Sequence, residues 1–179
     1  PEISSPVSLL TEKSDQDMSL KLASIEADFA SLTDKIAIQK KTIADSIDPI
    51  KKQLAYLMAK PSVKPVTASI TASFGYRKNP FTSRGSEFHK GIDFAASYGQ
   101  TVSATGDGIV SFAGWNAGYG RMVIISHGYG LTTLYAHNSK LLVKQGDKVK
   151  KGQAIAKVGN TGRSTGTHLH YEVKLNGKN

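Results

Sequence analysis

Cysteine is absent from all 179 residues, so neither a disulfide framework nor a thiolate metal site can form. That absence leaves the compartment open. No stretch approaches the ~20 consecutive apolar residues of a membrane span, and no signal-peptide pattern is present. A chain that opens on Pro1 and stops in mid-pattern at Asn179 is expected to be part of a longer protein, with which a membrane anchor is compatible. Glycine is missing from the first 74 residues, and all 17 glycines fall between Gly75 and Gly177. All five histidines also fall in the second part. Charge divides in the same way: residues 1–60 carry 8 Lys against 9 Asp and Glu, net −1, while residues 61–179 carry 15 Lys and Arg against 5 acidic groups, net +10. Two structural classes are joined end to end.

In the first part, Met18, Leu22, Ile25, Phe29, Leu32 and Ile36 recur with alternating steps of four and three, and the seam resumes at Ile43, Ile47, Ile50, Leu54 and Leu57. Such a narrow apolar stripe is the coiled-coil pattern, covered by a second copy or by packing along its own domain. Ser14 and Asp17 offer a cap at the start. Pro49 lacks a helix donor and disfavours helix at Asp48, so a kink or break is expected there, with Asp48 capping a second helix. Residues 1–60 are therefore read as a helical, coiled-coil-like segment. Residues 61–67, with Pro61 and Pro65, are read as a linker.

From residue 68 to 179 short β-branched runs alternate with glycine turns: Thr101–Ala104, Ile109–Ala113, Met122–Ser126, Leu131–Ala136, Leu141–Val143, Ala154–Val158 and His168–Lys174. Without intervening helices this predicts a mainly β fold, a Gly-rich antiparallel sheet of barrel or sandwich type.

Chemistry is expected at the histidines. His89 and Asp93 are four apart and His168 and His170 two apart, and even spacing on a strand puts side chains on one face. Two imidazoles and one carboxylate make a three-ligand set suited to Zn²⁺, with a fourth position left for water. Spacing alone does not choose between His168 and His170. Glu172 shares their parity. A salt bridge is its expected role, and orienting a ligand imidazole is the alternative. His127 is expected to be structural or at the surface.

Four motifs occur in order: Phe74-Gly-Tyr-Arg77, His89-Lys-Gly-Ile-Asp93, Tyr135-Ala-His137 and Thr165-Gly-Thr-His168-Leu-His170-Tyr-Glu172. Together they resemble the lysostaphin/LytM-type zinc metallopeptidases, from about Ala68 to Asn176. The resemblance implies a zinc ion held by His89, Asp93 and His170, with His137 and His168 as further catalytic histidines. No His-Glu-x-x-His helix supplies a glutamate base, so one of these two imidazoles is left to accept the proton of a water. The other would steady the oxyanion or protonate the leaving amine. The resemblance further implies an extracytoplasmic endopeptidase whose partners are peptidoglycan peptide stems. A DD-type cross-link is the expected target and a glycine bridge the alternative. Thr167 stands where relatives often have Pro, and Asn138 where an apolar residue is common.

Two other functions compete. A non-catalytic LytM-type domain would bind or activate another wall hydrolase, but such relatives typically lack a ligand, and here all three are retained. Val102–Val110 and Val143–Gly152 resemble the half-repeats of biotinyl and lipoyl carriers, but no Met-Lys-Met element accompanies them. The excess of positive charge, at Lys144, Lys148, Lys150, Lys151 and Lys157 among others, suits attraction to an anionic wall polymer. Nucleic acid is not expected, since no stacking motif or recognition helix accompanies the lysines.

Overall fold

The computed structural model describes residues 6–82 and 84–179, in two compact units divided between Lys52 and Gln53. One helix, α1 (Pro6–Ala59), contributes to both. It begins at a proline, whose missing N–H has no helical partner in a first turn. The start therefore lies upstream of the cap expected at Ser14, which sits inside the helix. Its assignment also runs unbroken past Pro49. The expected break, with Asp48 capping a second helix, does not form. Proline removes one hydrogen bond, and the Lys, Gln, Leu and Ala residues that follow are strong helix formers. In the first unit the stripe side chains Leu22, Phe29 and Ile36 are exposed. No described helix is long and apolar enough to cross a membrane.

The second unit is antiparallel β throughout its described pairings. Its strands are β1 (Ile70–Ala72), β2 (Gly75–Lys78), β3 (Ser86–His89), β4 (Ile92–Phe94), β5 (Thr101–Ser103) and β6 (Gly108–Asn116). They are followed by β7 (Gly120–Gly128), β8 (Leu131–Leu141), β9 (Lys148–Val149), β10 (Ala154–Val158) and β11 (Leu169–Leu175). The main sheet runs β1-β4-β11-β8-β7-β6-β9, with β10 joining β5 to β8, and β2 and β3 form a separate hairpin. Leu141 belongs to the end of β8 rather than to a strand of its own, and β9 occupies part of the lysine-rich stretch between glycine turns.

β8 is the central strand and is buried on both faces. Tyr135 packs on one side with Phe94, Val102, Ile155, Leu169 and Tyr171, while Leu134 and Ala136 pack on the other with Met122. The Tyr135 hydroxyl lies 2.9 Å from the Thr105 amide, which donates to it, and 2.9 Å from the Thr105 hydroxyl. His127 is buried in the same polar network, with Nδ1 2.7 Å from the Asp107 carbonyl and Nε2 2.7 Å from Thr133 Oγ1. Both ring nitrogens are engaged, which makes it a structural histidine.

The connection 61–67 has neither helix nor strand, but it is tied down. Val66 and Pro65 are buried, the Ser103 amide donates to the Pro65 carbonyl at 2.8 Å, and Ser62 N donates to Thr105 O at 3.0 Å. The last turn of α1 packs in the same unit. Ala59 is buried, Asp107 N donates to Met58 O at 2.8 Å, and Tyr56 meets Tyr129 edge to face with centroids 5.2 Å apart.

Gly91 turns the chain from β3 into β4 where no side chain fits. A Cβ there would lie 2.3 Å from the Tyr171 carbonyl oxygen and 2.9 Å from Glu172 Cγ. Gly91→Ala must push β4 from β11, a crowding that costs about 1–3 kcal/mol. A thermal midpoint several degrees below wild type is expected, and an unchanged midpoint would contradict this packing.

Candidate active site

The cleft lies on the face of the sheet that carries Leu134, Ala136 and Tyr119. Asp93 on β4 sits directly opposite His170 on β11, so one sheet register presents both side chains together. His89 ends β3, on the other sheet, and the turn at Lys90 and Gly91 brings it back over Asp93. The two are neighbours because the chain folds between them, not through shared parity on one strand. All three residues are buried.

Their ligating atoms converge. His89 Nε2 is 3.1 Å from Asp93 Oδ1 and 3.0 Å from His170 Nδ1, and His170 Nδ1 is 2.8 Å from Asp93 Oδ1. The far sides of the rings fix their tautomers. His89 Nδ1 lies 2.9 Å from the Ser73 carbonyl, which only accepts, so that nitrogen carries the hydrogen. His170 Nε2 lies 3.1 Å from Glu172 Oε1 and donates to it. Both imidazoles therefore turn a lone pair toward a carboxylate oxygen, and three acceptors facing one another need a cation or a proton between them. The atoms fit a metal: ligands about 2.0–2.1 Å from a tetrahedral zinc stand roughly 3.3 Å apart, a few tenths of an ångström wider than here.

Supporting contacts hold each ligand. Arg77 Nη1 donates to Asp93 Oδ2 at 2.9 Å, leaving Oδ1 for the cluster. Arg77 is itself held by Glu87, its direct cross-strand partner, at 2.9 Å from Nη2 and 3.0 Å from Nε. Burial works to raise the Asp93 carboxyl, but hydrogen bonds to His170 and Arg77 outweigh it and hold the group well below the usual carboxylate range. Glu172 makes the expected salt bridge, 2.9 Å from Lys174 Nζ, but it also accepts from Tyr119 at 2.7 Å and orients His170. Burial opposes its ionisation too, and its hydrogen bonds, that of His170 foremost, keep it ionised. Burial likewise resists charge on His170, yet hydrogen bonding to Asp93 and Glu172 lifts its pKa above that of free imidazole.

His137 reaches the cleft through an irregularity in β8. Arg121 pairs with Asn138 and Val123 with Tyr135, so β8 carries one residue more than β7 over this stretch, a β-bulge. Strict alternation would turn His137 to the face of Tyr135. Its φ of +62° re-aims it, placing its ring 4.7 Å from that of His168 and 5.9 Å from that of His170. Asn138 closes the bulge by donating to the Tyr135 and Arg121 carbonyls at 2.8 and 3.0 Å, which gives this departure from an apolar residue its physical purpose. His137 Nδ1 is 2.8 Å from the Thr161 carbonyl, and His168 Nδ1 is 2.8 Å from the Gly166 carbonyl. Each ring thus carries a hydrogen on Nδ1 and turns Nε2 into the cleft, that of His168 lying 3.7 Å from Asp93 Oδ1. Burial pushes the pKa of His137 down to about 4, so the ring is neutral near pH 7.

The five residues thus converge on one cleft of about 260 Å³ between the β2–β3 hairpin and the loop before β11. Of the supporting groups, Arg77 lies inside a motif already visible in the sequence. The carbonyls of Ser73, Thr161 and Gly166 left no signal, because every residue has one.

An antiparallel sheet carrying a buried His-Asp-His cluster beside two further imidazoles defines a metallopeptidase-like domain. The chain belongs to peptidase family M23, whose sequence profile matches residues 87–179. The DD-carboxypeptidase/endopeptidase Mpg of Neisseria meningitidis is 47% identical over 113 residues, covering 63% of this chain and 26% of that protein. The murein hydrolase activator NlpD of Salmonella typhimurium is 49% identical over 92 residues, covering 50% of this chain and 24% of that protein. A zinc-containing peptidase of Vibrio cholerae superposes with a TM-score of 0.57 at 41% identity, covering 67% of this chain and 37% of that one. The chain thus spans about a quarter of the length of these curated relatives.

Proposed function

We propose that the chain is a zinc-dependent endopeptidase that cuts peptide cross-links of peptidoglycan outside the cytoplasm. The observation that carries this reading is the pair of imidazoles of His137 and His168, each anchored through Nδ1 to a backbone carbonyl and turning Nε2 toward the metal-fitting cluster. His89, Asp93 and His170 would hold the ion. Bound there, zinc would supply Lewis acidity, lowering the pKa of a water and polarising the scissile carbonyl.

The protein's own groups do the rest. The Nε2 of one imidazole accepts the proton released as the water attacks, and the other, when it carries a proton on Nε2, donates a hydrogen bond to the developing oxyanion or that proton to the leaving amine. Arg77 keeps Asp93 ionised and aimed, and Glu172 keeps the Nδ1 lone pair of His170 turned inward. Burial keeps His137 unprotonated near neutral pH, as a proton acceptor must be. The endopeptidase named among the relatives supports a DD-type cross-link as the target.

The likeness to NlpD favours a second reading, in which the domain activates another hydrolase without cutting. Digestion of purified sacculi separates the two. The zinc-loaded protein is expected to release un-cross-linked muropeptides identifiable by mass spectrometry. Unaltered muropeptides at full zinc occupancy would overturn the enzyme reading.

A further inference from the structure

We infer that Arg163 selects substrate by binding a free carboxylate of the peptide, a role that deepens the proposed function and rests on it. Arg163 belongs to the loop between β10 and β11 and lines the cleft with His137 and His168. Its amide donates to the Gly118 carbonyl at 2.9 Å, and the next residue, Ser164, has its hydroxyl 3.1 Å from His168 Nδ1. A ligand held by Arg163 is therefore registered against the catalytic histidines by one short piece of backbone. The guanidinium also stacks over Phe81, with its carbon 4.4 Å from the ring centroid.

Its charge is only partly met. Glu87 is the one acidic group within ion-pair reach among the described residues, and its Oε1 already takes both Nε and Nη2 of Arg77. The remaining oxygen, Oε2, stands 3.8 Å from Arg163 Nη2, beyond hydrogen-bond distance. The guanidinium fork thus faces the cleft with unused donors, its side chain 58% exposed. Lys90, which also lines the cleft, has no ion-pair partner among the described residues. The cleft walls hold three permanent cations, Arg77, Lys90 and Arg163, against the two carboxylates Glu87 and Asp93, and a bound divalent ion adds to the excess. A planar guanidinium with free donors recognises carboxylate bidentately. The carboxylate could be the α-carboxylate at a peptide's end or one borne on a side chain.

The test is calorimetric binding of a synthetic stem tetrapeptide to the zinc-loaded full chain. The peptide is offered in three forms: both carboxylates free, the terminal carboxylate amidated, or the side-chain carboxylate amidated. One amidation is expected to weaken binding by roughly tenfold or more, as loss of a charge-assisted pair does, and so to identify the recognised carboxylate. R163M should erase that difference, with zinc content unchanged. R163K, which keeps charge but not the fork, should retain part of it and guards against misfolding of R163M. Equal affinity for all three forms, or full discrimination by R163M, would overturn the inference while leaving the endopeptidase reading intact. If no form binds and sacculi are not cut, that reading fails and this one with it.

Discussion

Asp93→Ala is expected to strip the protein of zinc and reduce peptide hydrolysis to background, a loss of at least about a thousandfold. Losing a group that merely supports a ligand costs 10–100-fold in metal affinity or activity, and Asp93 is the anionic member of the cluster itself. Its two oxygens serve separate partners, Oδ1 the imidazoles and Oδ2 Arg77. The substitution therefore also leaves Arg77 and Glu87 without their third charge and sets two histidine lone pairs against each other. Thermal shift provides a readout that does not depend on turnover. Zinc at 1,000 times its dissociation constant stabilises a native state by about 4 kcal/mol, so wild type stripped by a chelator should gain many degrees on adding zinc back. Asp93→Ala should gain none. A variant that keeps the zinc-dependent shift would show that the ion is held elsewhere.

His137→Gln separates the chemistry from the metal. The variant is expected to keep its zinc and lose about 10²–10⁴ in kcat, the range set by a positioned acid–base group, with KM little changed. More than a tenth of the wild-type kcat would exclude His137 as a proton-transfer group. The same substitution tests the acid stability of the fold. Burial holds folded His137 at about 4, whereas an unfolded imidazole titrates near ~6.5. Between those values the unfolded chain binds the extra proton, so stability falls as pH falls through this window. Urea midpoints of the chelated protein should therefore drop more from pH 7 to pH 4.5 in wild type than in His137→Gln. Asp93 and Glu172 act lower down. Their depressed pKa values stabilise the fold above the ordinary carboxylate range, and that contribution disappears as pH falls below it.

Residue type and spacing bring forward His89, Asp93, His168 and His170, because metal chemistry demands scarce side chains and the chain has only five histidines, whereas His137 stands out only through the resemblance of the four ordered motifs. The antiparallel strands are equally legible, since β-branched runs and glycine turns report on local backbone. How the residues meet is less visible. The even spacing of His89 and Asp93 looks like strand parity, yet the chain turns between them onto a second sheet. The re-aiming of His137 depends on one extra residue in β8, which shows only when β7 is laid beside it. Helix continuity at Pro49 is lost from view for a related reason. A proline's local penalty is plain in sequence, whereas the support of the turns on either side of it is cumulative.

The docked last turn of α1 and the strap after it bear on how this domain should be cut. The family profile begins at residue 87. A fragment trimmed there would lack Ser73, which fixes the tautomer of His89, and Arg77, which keeps Asp93 charged. It would also lack Val66, a member of the hydrophobic core. Starting at residue 68 restores the first two but still uncovers the core where Val66 and Ala59 are buried. The boundary that respects the packing falls at Gln53, inside a helix that by periodicity reads as a coiled-coil-like segment reaching residue 60. Loss of activity in a shorter fragment would therefore report on missing scaffold before it reported on the chemistry of the cleft.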